Sequence, residues 1–143
     1  MTVRRAFLDA NVLFSATNSS SRRRELIDVA ASVMELVTCD YAVAEARRNL
    51  RRKRPSRTDS LDAVLLMVRT ETTTAFKLPV RIAAKDLPIL ASAAAAGCGT
   101  LVTGDLADFG HLFGRTVLGV RIETPLDFVG TVAAAVADSK RPS

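Results

Sequence analysis

The chain has no tryptophan, one tyrosine, one histidine and two cysteines in 143 residues, and aromatic residues make up only 5% of it. With so few large rings, the core must rest on close packing of small aliphatic side chains. Cys39 and Cys98 are isolated thiols with no metal-ligand spacing, and they are expected as small buried hydrophobes rather than a disulfide. A single histidine, His111, leaves no Ser-His or Cys-His pair for covalent catalysis, and it is read as a loop residue. No apolar run approaches the roughly 18 residues of a membrane span. Behind Met1 to Ala6 there is no apolar segment of a secretory signal. A cytoplasmic protein without membrane association is the expectation.

Charge is plentiful and uneven. The net charge is +5, and residues 1–57 hold 12 Lys/Arg against 6 Asp/Glu, whereas the rest hold 8 against 9. Such an asymmetry suits a polyanionic partner, although solvated helix faces would read the same way. The size and the absence of a linker or repeat fit one domain over residues 1–138, followed by a polar tail, 139–143.

The most informative stretch is Thr100 to Asp108. Thr100-Leu101-Val102 is a short β-prone, apolar run, and Thr103-Gly104-Asp105 leads out of it to Asp108. Such a run reads as a buried strand, and ligands in open α/β sheets sit at the carboxyl ends of the strands. Ala6-Phe7-Leu8 followed by Asp9 repeats the pattern, with Asp9 and Asn11 expected on a turn. Further strands are expected near Glu35–Thr38, at the Thr-rich Glu71–Phe76 and within Gly114–Glu123.

Helical spacing of apolar residues predicts helices over about Arg22–Leu36, Tyr41–Lys53 capped by Asp40, and Thr58–Arg69. Asp86-Leu87-Pro88 opens another helix, with Asp86 as its cap and Gly97 or Gly99 as its end. Pro125 starts the last. Strands alternating with helices predict an α/β fold, with a central parallel sheet of about four to five strands flanked by helices on both sides.

Asp9, Glu45, Asp86, Asp105 and Asp108 all fall at element ends or among apolar neighbours. Taken singly, Asp86 reads as a cap, Glu45 as a surface charge and Asp108 as a turn residue. Taken together, four such acids within a few ångströms would repel one another strongly unless protonated or matched by a cation. All-oxygen ligation suits Mg2+ or Mn2+, and carboxylate-held divalent ions beside a basic flank suit phosphodiester hydrolysis. The basic flank follows Glu45: Arg47, Arg48, Arg51, Arg52, Lys53, Arg54 and Arg57. Of these, Arg47, Arg48, Arg51, Arg52 and Arg54 are candidates for RNA binding.

Phe7-Leu8-Asp9-Ala10-Asn11-Val12-Leu13 resembles the opening motif of the PIN-domain family. Ala44-Glu45-Ala46-Arg47-Arg48-Asn49-Leu50 is similar to its second motif. Asp86 to Ala91 and Leu101 to Phe109 resemble its third and fourth. The resemblance spans about residues 4 to 128, and its most specific part is the block from Asp86 to Phe109. It points to the VapC-like toxins: single-domain endoribonucleases dependent on Mg2+ or Mn2+, held inactive by a cognate antitoxin and commonly homodimeric. It implies Asp9, Glu45, Asp86 and Asp105 as the catalytic, metal-holding acids, with Asp108 as an auxiliary carboxylate. Asn11 and Thr103 would be supporting polar groups.

Two rivals stay open. A haloacid-dehalogenase-like phosphatase would also use an Asp after the first strand, with Lys85 as its lysine, but it needs an acid where Asn11 stands. A non-catalytic basic module binding RNA or a protein partner would hold its acids for structure alone. An antitoxin segment is expected to wrap the surface between the two N-terminal helices, with Leu26, Val29, Val33, Tyr41 and Val43 as candidate lining residues.

Overall fold

The computed structural model describes residues 4–141. Its centre is the run Arg5–Leu8 (β1), whose Ala6, Phe7 and Leu8 are fully buried. Residues hidden on both faces need no polar alternation, which is why this strand reads as a continuous apolar run. Glu35–Cys39 (β2) and Thr100–Val102 (β4) are built the same way and flank β1 in parallel, Phe7 pairing with Val37 on one side and Leu101 on the other. Val68–Glu71 (β3) lies outside β2. A hairpin of Thr116–Val117 (β5) and Val120–Glu123 (β6) completes a six-stranded sheet in the order β3-β2-β1-β4-β6-β5.

The sheet is flanked by the helices Ala10–Ala16 (α1), Arg22–Val33 (α2), Asp40–Lys53 (α3), Thr58–Leu65 (α4), Leu87–Ala95 (α5), Leu106–Phe109 (α6) and Pro125–Ser139 (α7). From β1 the chain winds outward through β2 to β3, then returns across the sheet to β4 on the other side of β1. The carboxyl ends of β1 and β4 therefore form the switch point of the sheet, where the crossing connections diverge and leave a crevice. Asp9 and Asp105 are both placed there.

Several local expectations are corrected. Asp9 does not sit on a turn: it caps α1, whose seven residues make only about two turns, too few to show a clear helical period in the sequence. Asp40 is the exposed first residue of α3, and Cys39 stands at the capping position. The helix from Thr58 stops at Leu65, and Val68 and Arg69 belong to β3, whereas Thr72 to Phe76 form no strand. Arg22–Leu36 divides into α2 and the start of β2. The last strand is a hairpin whose β5 runs antiparallel at the sheet edge, so the sheet has six strands rather than four or five and is not wholly parallel. The final helix runs on through Ser139, so the expected tail begins later, and its residues 142–143 lie outside those described. Cys39 and Cys98 are buried free thiols, and burial pushes the Cys98 thiol up to about 11.

Candidate active site

The site grows out of how two strand ends are tied together. The Asp9 N–H donates to the Val102 carbonyl at 3.1 Å, extending the β1–β4 ladder by one residue. Beyond it the Asp9 carboxylate turns to cap α1: Oδ1 accepts from the Ala10 N–H at 2.7 Å. Its other oxygen accepts from the Thr103 hydroxyl at 2.8 Å and the Asn11 amide at 3.2 Å. Thr103, fully buried at the end of β4, also accepts from the Asp105 N–H at 3.1 Å and the Asn11 side chain at 3.2 Å. Asn11 completes the knot by accepting from the Gly104 N–H at 2.7 Å. A Cβ on Gly104 would stand 3.3 Å from that same Asn11 oxygen, so glycine here allows the loop after β4 to close against α1. The two supporting polar residues thus bind the Asp9 and Asp105 segments to each other.

Around this knot, Asp9, Asn11, Glu45, Asp86, Gly104 and Asp105 line a cavity of about 220 Å³. Glu45 reaches it from α3, Asp86 from the residue before α5, and Asp105 from the cap of α6, where its Oδ1 accepts from the Asp108 N–H at 3.0 Å. Asp86, Asp105 and Asp108 each place one carboxylate oxygen within 4.8 Å of the others. All four acids implied as catalytic therefore share one cavity, with Asp108 beside Asp86 and Asp105.

The electrostatics of the cluster are those of crowded, dehydrated acids. Burial raises Asp9 from 3.8 to about 6 against the hydrogen bonds from Thr103 and Ala10, and the charges of Glu45 and Asp105 raise it further. Burial likewise raises Asp86 to about 7, with Asp108 next to it adding to the shift. Asp108 moves the other way, chiefly because the Lys85 ammonium lies 2.7 Å from its Oδ2. Of these neighbouring acids, buried Asp86 is pushed toward its protonated form and Asp108, paired with Lys85, toward its charged form.

Asp86 does not cap α5 through its side chain, as its sequence position suggested. Among the described residues its Oδ2 is buried with no hydrogen-bond partner, a costly state for a carboxyl oxygen unless something else meets it. An orphaned buried oxygen in a cavity whose walls offer three further carboxylates is a donor set suited to a hard divalent cation.

Two residues given no place at the site by the acid pattern belong to its rim. Lys85 was noted only as a phosphatase lysine, yet its ammonium neutralises Asp108. Tyr41 hydrogen-bonds the Lys85 carbonyl through its hydroxyl at 2.8 Å, and burial, with Glu45 and Asp86, raises that hydroxyl's pKa. Neither was detectable in advance, because both depend on a connection, 72–86, that has no regular pattern. His111 lies off the cavity, with Nε2 2.8 Å from the Arg81 carbonyl.

Of the basic candidates, Arg47 pairs with Asp62 of α4 at 3.3 Å, and Arg54 bonds the Lys53 carbonyl at 2.8 Å. Arg48, Arg51 and Arg52 are exposed and, with Asn49, line a shallow cleft on α3. Among the proposed antitoxin-facing residues, Val29 is exposed, whereas Leu26, Val33, Tyr41 and Val43 are half-buried against the core.

No protein-family profile matches this chain, and no curated protein does. Among solved structures, the chain is similar to the VapBC2 complex of Rickettsia felis, bound to a DNA fragment from its promoter. The match has 18% identity over 84% of this chain and 98% of that one, with a TM-score of 0.64. It is also similar to Mycobacterium tuberculosis VapC20, described as a Sarcin-Ricin loop cleaving toxin. That match has 15% identity over 78% of this chain and 98% of that one, with a TM-score of 0.53. The chain has a PIN-like α/β fold, which it shares with these VapC-type structures.

Proposed function

We propose that the protein is a Mg2+- or Mn2+-dependent endoribonuclease and the toxin of a toxin–antitoxin pair. The observation that carries this reading is the orphaned Asp86 Oδ2, buried in a cavity it shares with Asp9, Glu45 and Asp105. Crowded acids with raised pKa values hold their protons until a cation takes the protons' place. One fold neighbour is described as a Sarcin-Ricin loop cleaving toxin, which supports this reading.

Asp9, Asp86, Asp105 and Glu45 would hold the ion, with Asp108 beside them; when bound, it supplies Lewis acidity toward a phosphodiester. The chain's own residues do the positioning. Thr103, Ala10 and Asn11 fix both oxygens of Asp9, so that carboxylate needs little reorganisation on binding. Lys85 compensates Asp108, which limits the repulsion the cluster must bear. Exposed cations on α3 draw a polyanion toward the acids, which alone would repel it.

A neutralising antitoxin would deliver a Lys or Arg into the cavity from a segment disordered when free. Lys85 already shows that an ammonium is accommodated beside these acids. The groove over Leu26, Val29, Val33, Tyr41 and Val43 would receive the rest of that segment. The toxin itself is expected as a homodimer, which light scattering of the purified chain would read.

The deciding experiment is incubation with total RNA, with and without Mn2+, followed by sequencing of new 5′ ends. Cleavage by the intact chain and none by Asp9→Asn or after chelation is the expected result. RNA binding without cleavage under any metal would instead favour the non-catalytic module. A phosphatase gains nothing from the geometry, since the position of its second acid is Asn11, whose oxygen is committed to Gly104.

A further inference from the structure

The seven cations that follow Glu45 look equivalent in the sequence, but α3 separates them. At roughly 100° per residue, Arg52 lies about 20° and Arg48 about 60° around the helix from Glu45. Arg51 lies about 120° away and Arg47 about 160° away by the same turn of the helix. Arg47 is held by Asp62 on the far side, and Arg54 folds back on its own backbone at the end of the helix. The Arg48 charge opposes part of the rise that burial, Glu45 and Asp86 impose on the Tyr41 hydroxyl at the cavity rim.

We propose that Arg48 and Arg52, with Asn49 between them, form a track for the phosphates of a single RNA strand leading away from the acid cavity. The proposal rests on the ribonuclease reading and specifies how that site is fed. Glu45 lines the cavity, and Arg48, Asn49, Arg51 and Arg52 line a surface cleft of about 460 Å³ on the same helix. The axial rise from Glu45 to Arg48 is about 4.5 Å and to Arg52 about 10 Å. By the same rise Arg48 and Arg52 lie about 6 Å apart along the axis, so their guanidiniums can hold two different phosphates of one strand. A guanidinium binds phosphate oxygens in bidentate fashion, and Asn49 offers a donor between the two charges. An acidic protein segment would also meet the charges, but it would have to continue toward four carboxylates of its own sign. A nucleic acid strand must enter that cavity if it is cut there.

The test measures binding of a fluorescent single-stranded RNA 12-mer to the full chain carrying Asp9→Asn, at fixed Mg2+ and varied KCl. Each lost phosphate contact should reduce the slope of log K against log salt by about 0.7. Arg48→Ala with Arg52→Ala should therefore flatten the slope by about 1.4, shrinking the affinity loss between 50 and 200 mM salt about sevenfold. Arg47→Ala should leave the slope as it was, with matching thermal melts showing that every variant is folded. Equal slopes for all variants, or an equal flattening by Arg47→Ala, would overturn the track. Unchanged slopes would also return the stripe to a protein partner. The ribonuclease reading is judged separately, on cleavage of total RNA by the chain with Asp9 intact. Cleavage with unchanged slopes sinks only the track, and flattened slopes without cleavage sink only the nuclease.

Discussion

Asp9 concentrates the physics of this site in one side chain. It is 3% exposed, closes the cap of α1 and accepts three hydrogen bonds, yet it still titrates near 6 because burial outweighs them. A folded-state value above the ordinary 3.8 means the fold favours the protonated form. The stability this contributes is complete below about pH 4, and it is lost as pH rises through about 6 for Asp9 and about 7 for Asp86. For Asp9 the change is on the order of 3 kcal/mol. Metal-free protein should therefore melt at lower temperature at pH 8 than at pH 5. Mn2+ should restore the loss at pH 8 and do little at pH 5, where protons compete for the same oxygens. Differential scanning calorimetry at the two pH values reads both effects. Asp9→Asn and Asp105→Asn should each abolish cleavage, and Asp9→Asn should hold or raise the metal-free melting temperature at pH 8. A variant that cuts RNA at the wild-type rate would remove that residue from the site.

The same scale includes Thr103, whose hydroxyl serves Asp9, Asn11 and Asp105 together. Thr103→Val keeps the shape and removes all three bonds, which should cost roughly 1–3 kcal/mol. Because the Thr103 bond lowers the Asp9 pKa, its loss should also move the acidic limb of the pH–rate profile upward. A profile that stays in place while stability falls would leave Thr103 a purely structural role.

At the level of elements, the ends of β1 and β4 are tied to the helices that follow them by caps rather than by core packing. Asp9 caps α1, Asp105 caps α6, and Thr124 with Asp127 forms a capping box on α7. Two of these caps are also site acids, so the carboxylates are aimed by the helices they begin. The β5–β6 hairpin shows an opposite case, in which local chemistry is compromised. Its turn residues Leu118 and Gly119 both have positive φ, at 50° and 82°, and leucine pays for that backbone through its Cβ. Leu118 is exposed, so Leu118→Asn should raise stability by roughly 1 kcal/mol and leave RNA cleavage unchanged. Chemical denaturation and the cleavage assay together check both halves of that expectation.

For the whole molecule, the winding order matters more than any single contact. Because the chain leaves β1 in one direction and returns to β4 in the other, the acids after both strands meet in one crevice. The basic N-terminal portion supplies α3 beside it, so a polyanion is attracted to a cavity that would repel it without a cation. An RNA-cutting enzyme with no restraint would damage its own cell. Expression of the chain alone in a bacterial host should therefore arrest growth, whereas the Asp9→Asn chain at equal protein level should not. Equal growth of the two cultures would argue against a toxin.

What the sequence alone determined was everything governed by near neighbours along the chain. Ala6–Leu8, Leu36–Thr38 and Thr100–Val102 announce buried strands because short apolar runs suit a sheet covered on both faces. The acids at the ends of β1 and β4 pointed to the candidate site, and the motif spacing marked the fold. The helix α1 escaped because seven residues span only about two turns, too few for a helical period to show, and β3 because three of its four residues are polar, as an edge strand tolerates. Only the tertiary structure decided that Asp86 is an orphaned oxygen instead of a cap, that Lys85 answers Asp108, and that Arg47 pairs with Asp62. The reason is that dehydration and charge pairing depend on which distant segments are brought together. A carboxylate's neighbours along the chain say what it can do, and its neighbours in space say what it must do.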